Sequence, residues 1–254
     1  MPLKISVITA VFNRRDTVAD AVQSIQRQSY ENVEHVVQDG GSQDGTLEVL
    51  QDLANANTQL VSAQDAGIYD AINKGIERAT GNVVGLMHSD DIFASDRVLE
   101  KVAAAFQDPS VEGVYGDLQY VSATAPGKIV RHWKSGEYDP DLLKRGWMPP
   151  HPTLYLRASV FERLGLYDTS YRIAADYDAM LRYLVHGQIN LVYIPEVLVK
   201  MRVGGVSNRS LRHIIQKSQE DYRAIRTNEI GGIGTLAMKN FSKLGQFLKQ
   251  SHRE

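Results

Sequence analysis

The chain has 254 residues, of which 43% are hydrophobic, enough for one large domain or for one domain with an appendage. It has no cysteine, so disulfides and thiolate metal sites are excluded and a reducing compartment fits. The net charge of −2 is unevenly spread, because the part from Lys200 onward has eleven Lys and Arg against four Asp and Glu. Such a basic tail suits anionic lipid, nucleic acid, a phosphorylated ligand or simply a solvated helical surface.

The chain begins with an apolar, β-branched run at 5–11 that predicts a first strand. The run is too short to span a bilayer and lacks a basic leader, so we expect a cytoplasmic protein. Alternating patterns then predict, in order, a helix at 17–28, a strand at 33–38, a helix at 47–53, a strand at 59–63, a helix at 68–79 and a strand at 83–87. The last strand is apolar at every position, as parallel strands between helix layers are.

The second half of the chain is less regular. Its patterns predict helices around 98–106, 159–164 and 177–185, a hairpin of strands at 113–122 and 128–133, strands at 189–194 and 197–203, and a helix at 211–225. Gly231, Gly232 and Gly234 form a linker before a last amphipathic helix. The fold class is therefore α/β, with a mostly parallel sheet flanked by helices.

Carboxylates follow three successive strands of the first half. Asp39 follows the second strand, Asp65 the third, and Asp90 with Asp91 the fourth. In an open parallel sheet, ligands bind outside the carboxyl ends of the strands, so we expect these acids on one edge. Adjacent carboxylates repel each other unless a cation neutralises them, and hard oxygen ligands suit Mg²⁺ or Mn²⁺. A cap for a following helix is the alternative for Asp91.

Several spaced motifs carry a resemblance to a known family: "ISVITAVFNR", "VVQDGGSQDGT", "DAGIYDAINKGIERATGNVVGLMHSDD", "HPTLYLR" and "AADYDAMLR". Together, over roughly residues 3–205, they resemble the family 2 glycosyltransferases with the GT-A fold, especially a bacterial polysaccharide-synthesis branch resembling colanic acid glycosyltransferases. The resemblance implies transfer of a sugar with inversion from a nucleotide-diphosphate sugar with the help of Mn²⁺ or Mg²⁺. It also implies a GT-A catalytic domain at 1–205, with a nucleotide-sugar half at about 1–92 and an acceptor half at about 93–205. A helical extension follows at 206–254.

The resemblance assigns donor-binding roles residue by residue. Asp39 matches the contact to a uracil-type base, and this implies a UDP-sugar as donor. Thr9 and Ala10 would lie beside the nucleoside, Asp65 would face the nucleotide, and Asp90 matches the ribose-contacting acid. The further donor-binding positions are Asn13, near the end of the first motif, and Asp70 and Asn73, which share one face of the third helix. A solvated polar face, with a weak Asp–Lys pair, is the alternative for the last two.

Asp91 matches the metal ligand that holds the diphosphate. The sequence departs from the fuller Asp-x-Asp-Asp pattern, since His88 stands where the first acid often stands. His88 is therefore a second candidate metal ligand. The replacement of an acid by His88 implies either weaker metal binding or a different contact for this side chain.

Inversion in one displacement requires a general base for the acceptor hydroxyl. Asp176 matches the Asp of the family's Glu-Asp signature, with Ala175 in place of the Glu, and is assigned as the base. A helix cap or a favourable dipole contact is its alternative. His151 is assigned to the acceptor or diphosphate pocket, with a structural role as its alternative. Gly204 and Gly205 allow the backbone to approach phosphates, with an ordinary turn as the alternative.

The last helix pairs an apolar face with Lys239, Lys243 and Lys249, a pattern suited to an anionic membrane surface. Packing on the catalytic domain or on a second subunit in a homodimer explains the same stripe. The expected partners are thus a nucleotide-sugar donor, a saccharide or lipid-linked acceptor, and the inner face of the cell membrane, with no nucleic acid.

Two other functions fit part of the pattern. A nucleotidyltransferase also uses metal-bound carboxylates, but the residues after the first strand, Asn13-Arg14-Arg15, resemble a phosphate loop only faintly. A non-catalytic sugar-nucleotide-binding module is the other. A dinucleotide oxidoreductase is disfavoured, because "DGGSQDG" is not the GxGxxG fingerprint.

Overall fold

One mixed sheet of nine strands connects both halves of the chain in the structure, a computed structural model that describes residues 3–125, 127–203 and 211–248. Its strands are β1 (Ile5–Val11), β2 (Val33–Asp39), β3 (Thr58–Ser62), β4 (Val83–Leu86), β5 (Ile92–Phe93), β6 (Gly113–Ser122), β7 (Ile129–Trp133), β8 (Tyr155–Arg157) and β9 (Leu191–Val203). Their order is β3-β2-β1-β4-β8-β6-β9-β5, with β7 paired to β6.

Helices cover both faces of this sheet. They are α1 (Arg15–Gln26), α2 (Thr46–Leu53), α3 (Ile68–Arg78), α4 (Val98–Ala105), α5 (Pro140–Leu143), α6 (Ala158–Leu164), α7 (Ala175–Leu181), α8 (Leu211–Thr227) and α9 (Ile233–Leu248). A 3-10 turn, His151–Thr153, precedes β8, and a π-helical turn, Arg182–His186, continues α7. This arrangement confirms the predicted α/β class.

The two-sided burial of β1 shows why its sequence is a continuous apolar run. Side chains alternate along a strand, so Val7 and Ile8 point to opposite faces. Val7 packs with residues of α1 and α4, and Ile8 packs with residues of α3, α6 and α7. Gly75 lets α3 come close to β1, since a Cβ there would lie 2.4 Å from a methyl carbon of Ile8.

The strands β1 to β4 are parallel neighbours, as the strand–helix alternation predicts. The second half joins this sheet through β8, which pairs antiparallel with both β4 and β6. The predicted hairpin is confirmed as β6 and β7, which are antiparallel.

The prediction of two separate strands at 189–194 and 197–203 is wrong, because β9 is one strand of 13 residues. The pairing with β6 jumps from Ile194 to Val197, so Pro195 falls at an irregularity in the ladder. Proline has no N–H to donate, and the ladder tolerates it at such a bulge instead of ending there.

The C-terminal helices pack on the rest of the chain. Lys239 of α9 is 1% exposed, and its Nζ lies 2.7 Å from Asp221 Oδ1 of α8 and 2.9 Å from the ring centroid of Tyr177 of α7. Lys239 is therefore absent from the outer face that the sequence pattern assigned to it, because a buried carboxylate holds it. Among the residues that the structure describes, no helix is long and apolar enough to cross a membrane.

Candidate active site

The loops after β1, β2, β3 and β4 emerge at one edge of the sheet, because these strands are parallel neighbours. Five of the predicted site residues lie in these loops: Asn13, Asp65, His88, Asp90 and Asp91. Within this edge the predicted site residues form two groups, one around Asp39 and one around Asp176.

The first group ties together the loops after β1, β2 and β3. Asp39 is fully buried, and its oxygens accept hydrogen bonds from Ser42 Oγ at 2.5 Å and Ser62 Oγ at 2.6 Å. The Asn13 backbone N–H donates to Ser42 Oγ at 2.8 Å, and Asn13 Oδ1 accepts from the Gln43 N–H at 3.0 Å. The Asp39 carboxylate is thus already hydrogen-bonded to two serine hydroxyls. A nucleobase that binds Asp39 would have to displace one of them.

Asp65 lies beside this group. Its Oδ1 accepts the Gly67 N–H at 2.9 Å, and its Oδ2 would be 2.6 Å from a Cβ at Gly40. Gly40 is thus required for the close approach of the loops that follow β2 and β3.

Thr9 and Ala10 lie within β1, just before its last residue, Val11. Thr9 is fully buried, and its Oγ1 is 2.9 Å from His35 Nε2 on β2. Burial lowers the pKa of His35 to about 4, so this imidazole is neutral near pH 7. Ala10 is half-buried.

Asp70 and Asn73 of α3 are both engaged within the protein. Asp70 accepts the Ala66 N–H at 2.9 Å and pairs with Lys74 at 2.8 Å. The Asn73 amide donates to the Tyr167 carbonyl at 2.8 Å and accepts the Tyr167 N–H at 3.0 Å. Asn73 thereby fixes the loop before α7 to α3, and its donor-binding role stays a prediction.

Asp91 is the most perturbed acid of the edge. It is fully buried, and its Oδ1 accepts the Arg202 N–H at 3.3 Å. Its Oδ2 has no hydrogen-bond partner among the described residues. Burial, and then the neighbouring charge of Asp90, raise the pKa of Asp91 well above its usual value, although Arg202 opposes this.

A divalent cation fits this position. Burying a carboxylate oxygen without a hydrogen-bond partner costs free energy. Such an oxygen is a suitable ligand for a hard divalent cation, which would take the place of the missing partner. Within residues 3–125, 127–203 and 211–248, no three His, Asp or Glu side chains cluster closely enough to hold a metal by themselves. The cation would therefore depend on substrate phosphates and water as further ligands, which is common for Mg²⁺.

The second group surrounds Asp176, two residues after the N-cap of α7. The rings of His88 and His151 lie 5.9 Å apart, and His151 Nε2 is 2.9 Å from the Tyr167 hydroxyl. Burial lowers the pKa of His151 to about 4, with Asp176 opposing the shift and His88 adding to it. Burial also lowers the pKa of His88, against the charges of Asp90 and Asp176. Both imidazoles are therefore neutral near pH 7, and both lie near the Asp176 carboxylate.

Tyr69 holds the segment that leads to Asp176. Its hydroxyl donates to the Ile173 carbonyl at 2.7 Å and lies 3.3 Å from Asp176 Oδ1. Asp178, the other acid of the motif, is buried and accepts hydrogen bonds from Tyr171 and Asn228. Of the two acids, only Asp176 thus belongs to the group with His88 and His151.

An open groove of about 420 Å³ adjoins Tyr69. It lies between the start of α3 and the loop before α7, with Gly67, Tyr69, Tyr171 and Arg172 in its walls. Gly204 and Gly205 lie outside the residues that the structure describes.

Four residues at this site escape the sequence analysis: Tyr69, Tyr167, Glu220 and Arg202. Tyr69 lies within a quoted motif, so its position was a usable signal. Tyr167, Glu220 and Arg202 act through contacts with residues far away in the chain, and no local pattern marks them.

Comparison with known proteins bears on this site. Residues 6–164 match the sequence model of the family described as "Glycosyl transferase family 2". The chain belongs to glycosyl transferase family 2. It is similar to a PGL/p-HBAD biosynthesis glycosyltransferase of Mycobacterium bovis, with 31% identity over 80% of this chain and 78% of the relative. An uncharacterized glycosyltransferase of Mycobacterium tuberculosis is also 31% identical, over 70% of this chain and 68% of the relative.

Solved structures of known glycosyltransferases share the fold of this chain. A mannosyltransferase from Pyrobaculum calidifontis, in complex with GDP-Man and Mn²⁺, aligns with a TM-score of 0.68 at 18% identity, over 99% of this chain and 71% of that one. S. aureus TarS 1-349, in complex with UDP-GlcNAc, aligns with a TM-score of 0.68 at 15% identity, over 89% and 65%. The GT-A fold predicted for this family 2 member is confirmed.

Proposed function

We propose that this family 2 member transfers a sugar, with inversion, from a nucleotide-diphosphate sugar to a hydroxyl of a saccharide or lipid-linked saccharide in polysaccharide synthesis. One observation carries the proposal. Near one edge of the sheet lie two carboxylates: Asp91, which is buried and whose Oδ2 has no hydrogen-bond partner in the described part of the chain, and Asp176, at a helix start. The first suits the charged end of a donor, and the second suits a proton acceptor.

Asp176 is the proposed general base. The acceptor oxygen forms a bond to the anomeric carbon while the bond from that carbon to the diphosphate oxygen breaks. The proton of the acceptor hydroxyl passes to Asp176, and the electron pair of the broken bond leaves with the nucleoside diphosphate. Because His88 and His151 beside Asp176 are neutral near pH 7, neither competes with the acceptor as a strong proton donor.

Asp91 is the proposed ligand of Mn²⁺ or Mg²⁺, with Asp90 on the ribose and His88 as a further candidate ligand. A bound cation would stabilise the negative charge that develops on the leaving diphosphate. Asp91 is well placed to hold such a charge, because burial keeps competing water away from its unpartnered oxygen.

The donor is proposed to lie across the loops after β1, β2 and β3. Asp39, Asp65 and Asn13 line this region, with Thr9 and Ala10 in the strand below. A UDP-sugar is the donor we propose, on the strength of Asp39. The fold neighbours in complex with GDP-Man and UDP-GlcNAc make both nucleotides worth testing.

The acceptor is proposed to enter through the groove between the start of α3 and the loop before α7. Tyr69 lines this groove and also contacts Asp176, so an acceptor hydroxyl in the groove would lie near the base. The half-buried ring of Tyr69 offers an apolar surface for a sugar ring. His151 and the segment with Gly204 and Gly205 are assigned to the acceptor or the diphosphate.

Contact with the inner membrane face is proposed through the outer side of α9. Ile233, Met238 and Phe241 are exposed there by 74%, 48% and 69%. A homodimer would cover the same side chains. Vesicle flotation and light scattering of the Phe241→Ser variant separate these roles, because the substitution leaves the buried Lys239 untouched. Unchanged flotation and mass would exclude both.

A donor screen tests the main proposal. The protein is mixed with UDP-, GDP- and dTDP-sugars and Mn²⁺, and the products are identified by chromatography. Slow release of nucleoside diphosphate is expected. Release of sugar 1-phosphate, by transfer of the nucleotidyl group, would indicate a nucleotidyltransferase instead, and binding without turnover would indicate a non-catalytic module. With an identified acceptor, NMR of the product gives the anomeric configuration, and retention would refute the single displacement.

A further inference from the structure

Glu220 of α8 makes an unusual set of contacts with the start of α7. One oxygen, Oε2, accepts the backbone N–H groups of Arg172, Ile173 and Ala174, at 3.1, 2.8 and 3.0 Å. Ala174 is the N-cap residue of α7, and Asp176 follows two residues later. These contacts lie beyond residue 164, where the family match ends.

The contacts are of a strong kind. Hydrogen bonds from N–H groups to a carboxylate are charge-assisted, and a negative charge is favoured at a helix N-terminus. Burial alone would raise the pKa of Glu220, but the hydrogen bonds from Ile173 and Gln216 outweigh it and lower that pKa. Gln216 orients the carboxylate by donating to Oε1 at 3.0 Å.

The same segment is held from its opposite side by α3. The Ile173 N–H donates to Glu220, while the Ile173 carbonyl accepts the hydroxyl of Tyr69. The peptide groups on either side of Ile173 are thus fixed between two helices. Because Asp176 lies in the first turn after this segment, the same contacts hold the backbone from which its carboxylate extends, and Tyr69 also contacts that carboxylate.

We propose that Glu220 is a positioning residue for Asp176, so that the C-terminal helix α8 is part of the catalytic apparatus. The inference rests on the proposed function, in which Asp176 is the base. The segment 172–174 also borders the acceptor groove through Arg172. Glu220 therefore holds the start of α7 and one wall of the groove together, and its hydrogen bonds within the described residues are to 172–174 and Gln216, not to the donor loops.

The variant Glu220→Ala tests this role. Without the acceptor oxygen, the N–H groups of residues 172–174 should exchange with solvent at least about tenfold faster, as measured by hydrogen exchange with mass spectrometry. A base displaced by about 1 Å should lower kcat about 10- to 100-fold. The affinity for UDP with Mn²⁺, measured by calorimetry, should stay within about twofold, because the donor loops are untouched.

The variant Glu220→Gln provides the rescue. Its amide oxygen can still accept the three N–H groups, so kcat should return to within about fivefold of wild type despite the loss of charge. Asp221→Asn is the matched control on the same helix, because Asp221 binds Lys217 and Lys239 and not residues 172–174. It should lower the melting temperature while keeping the slow exchange of residues 172–174 and the wild-type kcat in the folded protein.

Three results would overturn the inference. The first is wild-type kcat in Glu220→Ala, and the second is equal loss of UDP binding and turnover in that variant. The third is an Asp221→Asn variant that loses turnover as fully as Glu220→Ala at matched folded fraction. Failure of the proposed base role of Asp176 can be told apart from failure of the positioning role of Glu220. In the first case, Asp176→Asn would turn over substrate like wild type. With an inactive Asp176→Asn, an active Glu220→Ala defeats the positioning role alone.

Discussion

Lys239→Met should lower the stability of the protein much more than the loss of an exposed lysine would, because Lys239 is 1% exposed. The substitution keeps the aliphatic stem of the side chain and removes only the charge. That charge is buried between the carboxylate of Asp221, 2% exposed, and the ring of Tyr177. After the change, Asp221 retains one partner, Lys217, which is 41% exposed.

Removing one member of a buried ion pair costs about 3–5 kcal/mol, because the other charge stays buried. The remaining contact with Lys217 places the expected loss at the lower end, about 3 kcal/mol. For a chain of this size, each kcal/mol lowers the melting temperature by about 2–4 °C, so a decrease of roughly 6–12 °C follows. Burial opposes ionisation of Asp221, but Lys239 and Lys217 outweigh it and lower the pKa of Asp221. The loss is therefore full above the ordinary Asp pKa of about 3.9 and shrinks as the pH falls through the lowered value.

Calorimetry and urea unfolding at pH 7 measure this loss. Lys144→Met is the control, because Lys144 forms a similar pair with Asp141 in which both side chains are more than 70% exposed. An exposed pair contributes about 1 kcal/mol or less, so the control should melt within about 4 °C of wild type. If Lys239→Met melts no lower than Lys144→Met, the burial argument is refuted.

Three further predictions concern the site and its pH dependence. Asp176→Asn should keep the affinity for UDP and lose turnover by about 100- to 10,000-fold, and wild-type turnover would remove it from the mechanism. Asp91→Asn should lose the gain in UDP affinity that Mn²⁺ provides in wild type, as shown by calorimetry with and without the ion; an equal gain in both proteins would exclude Asp91 as the ligand. The pKa of His35 is about 4 in the folded state, so the unfolded chain binds a proton below about pH 6.5 that the folded protein does not. Wild-type stability should therefore fall more steeply than that of His35→Gln between about pH 6.5 and 4, by up to about 1.4 kcal/mol per pH unit, and parallel curves would contradict the burial of a neutral imidazole.

The sequence is most informative where local pattern and burial agree. Every residue of 83–86 is apolar, and β4 is buried throughout. The turn after β2 is rich in glycine, and Asp39, the last residue of β2, lies at its start, as the strand pattern predicts. These features depend on neighbours in the chain, so the α/β class and the acidic edge could be predicted.

The sequence is least informative where a polar side chain is satisfied by a distant part of the chain. From the sequence, Lys239 is expected on the solvated face of an amphipathic helix. In the structure its ammonium group is buried against Asp221, 18 residues earlier in the chain. Asn73 fits a ligand contact equally well, but its amide is engaged by the backbone of Tyr167, 94 residues away. Such partners are chosen by tertiary packing, which helical periodicity does not encode.

The three residues of β8 have a consequence for how enzymes of this shape can be recombined. The strand β8, from the second half of the chain, is inserted between β4 and β6, so the sheet formed by β1 to β4 depends on it to cover the edge of β4. Cutting the chain near residue 92 would expose the edge of β4 and leave each fragment with unpaired backbone. Chimeras built by exchanging whole halves should therefore aggregate, whereas exchange of the loops at the carboxyl edge would leave the shared sheet intact.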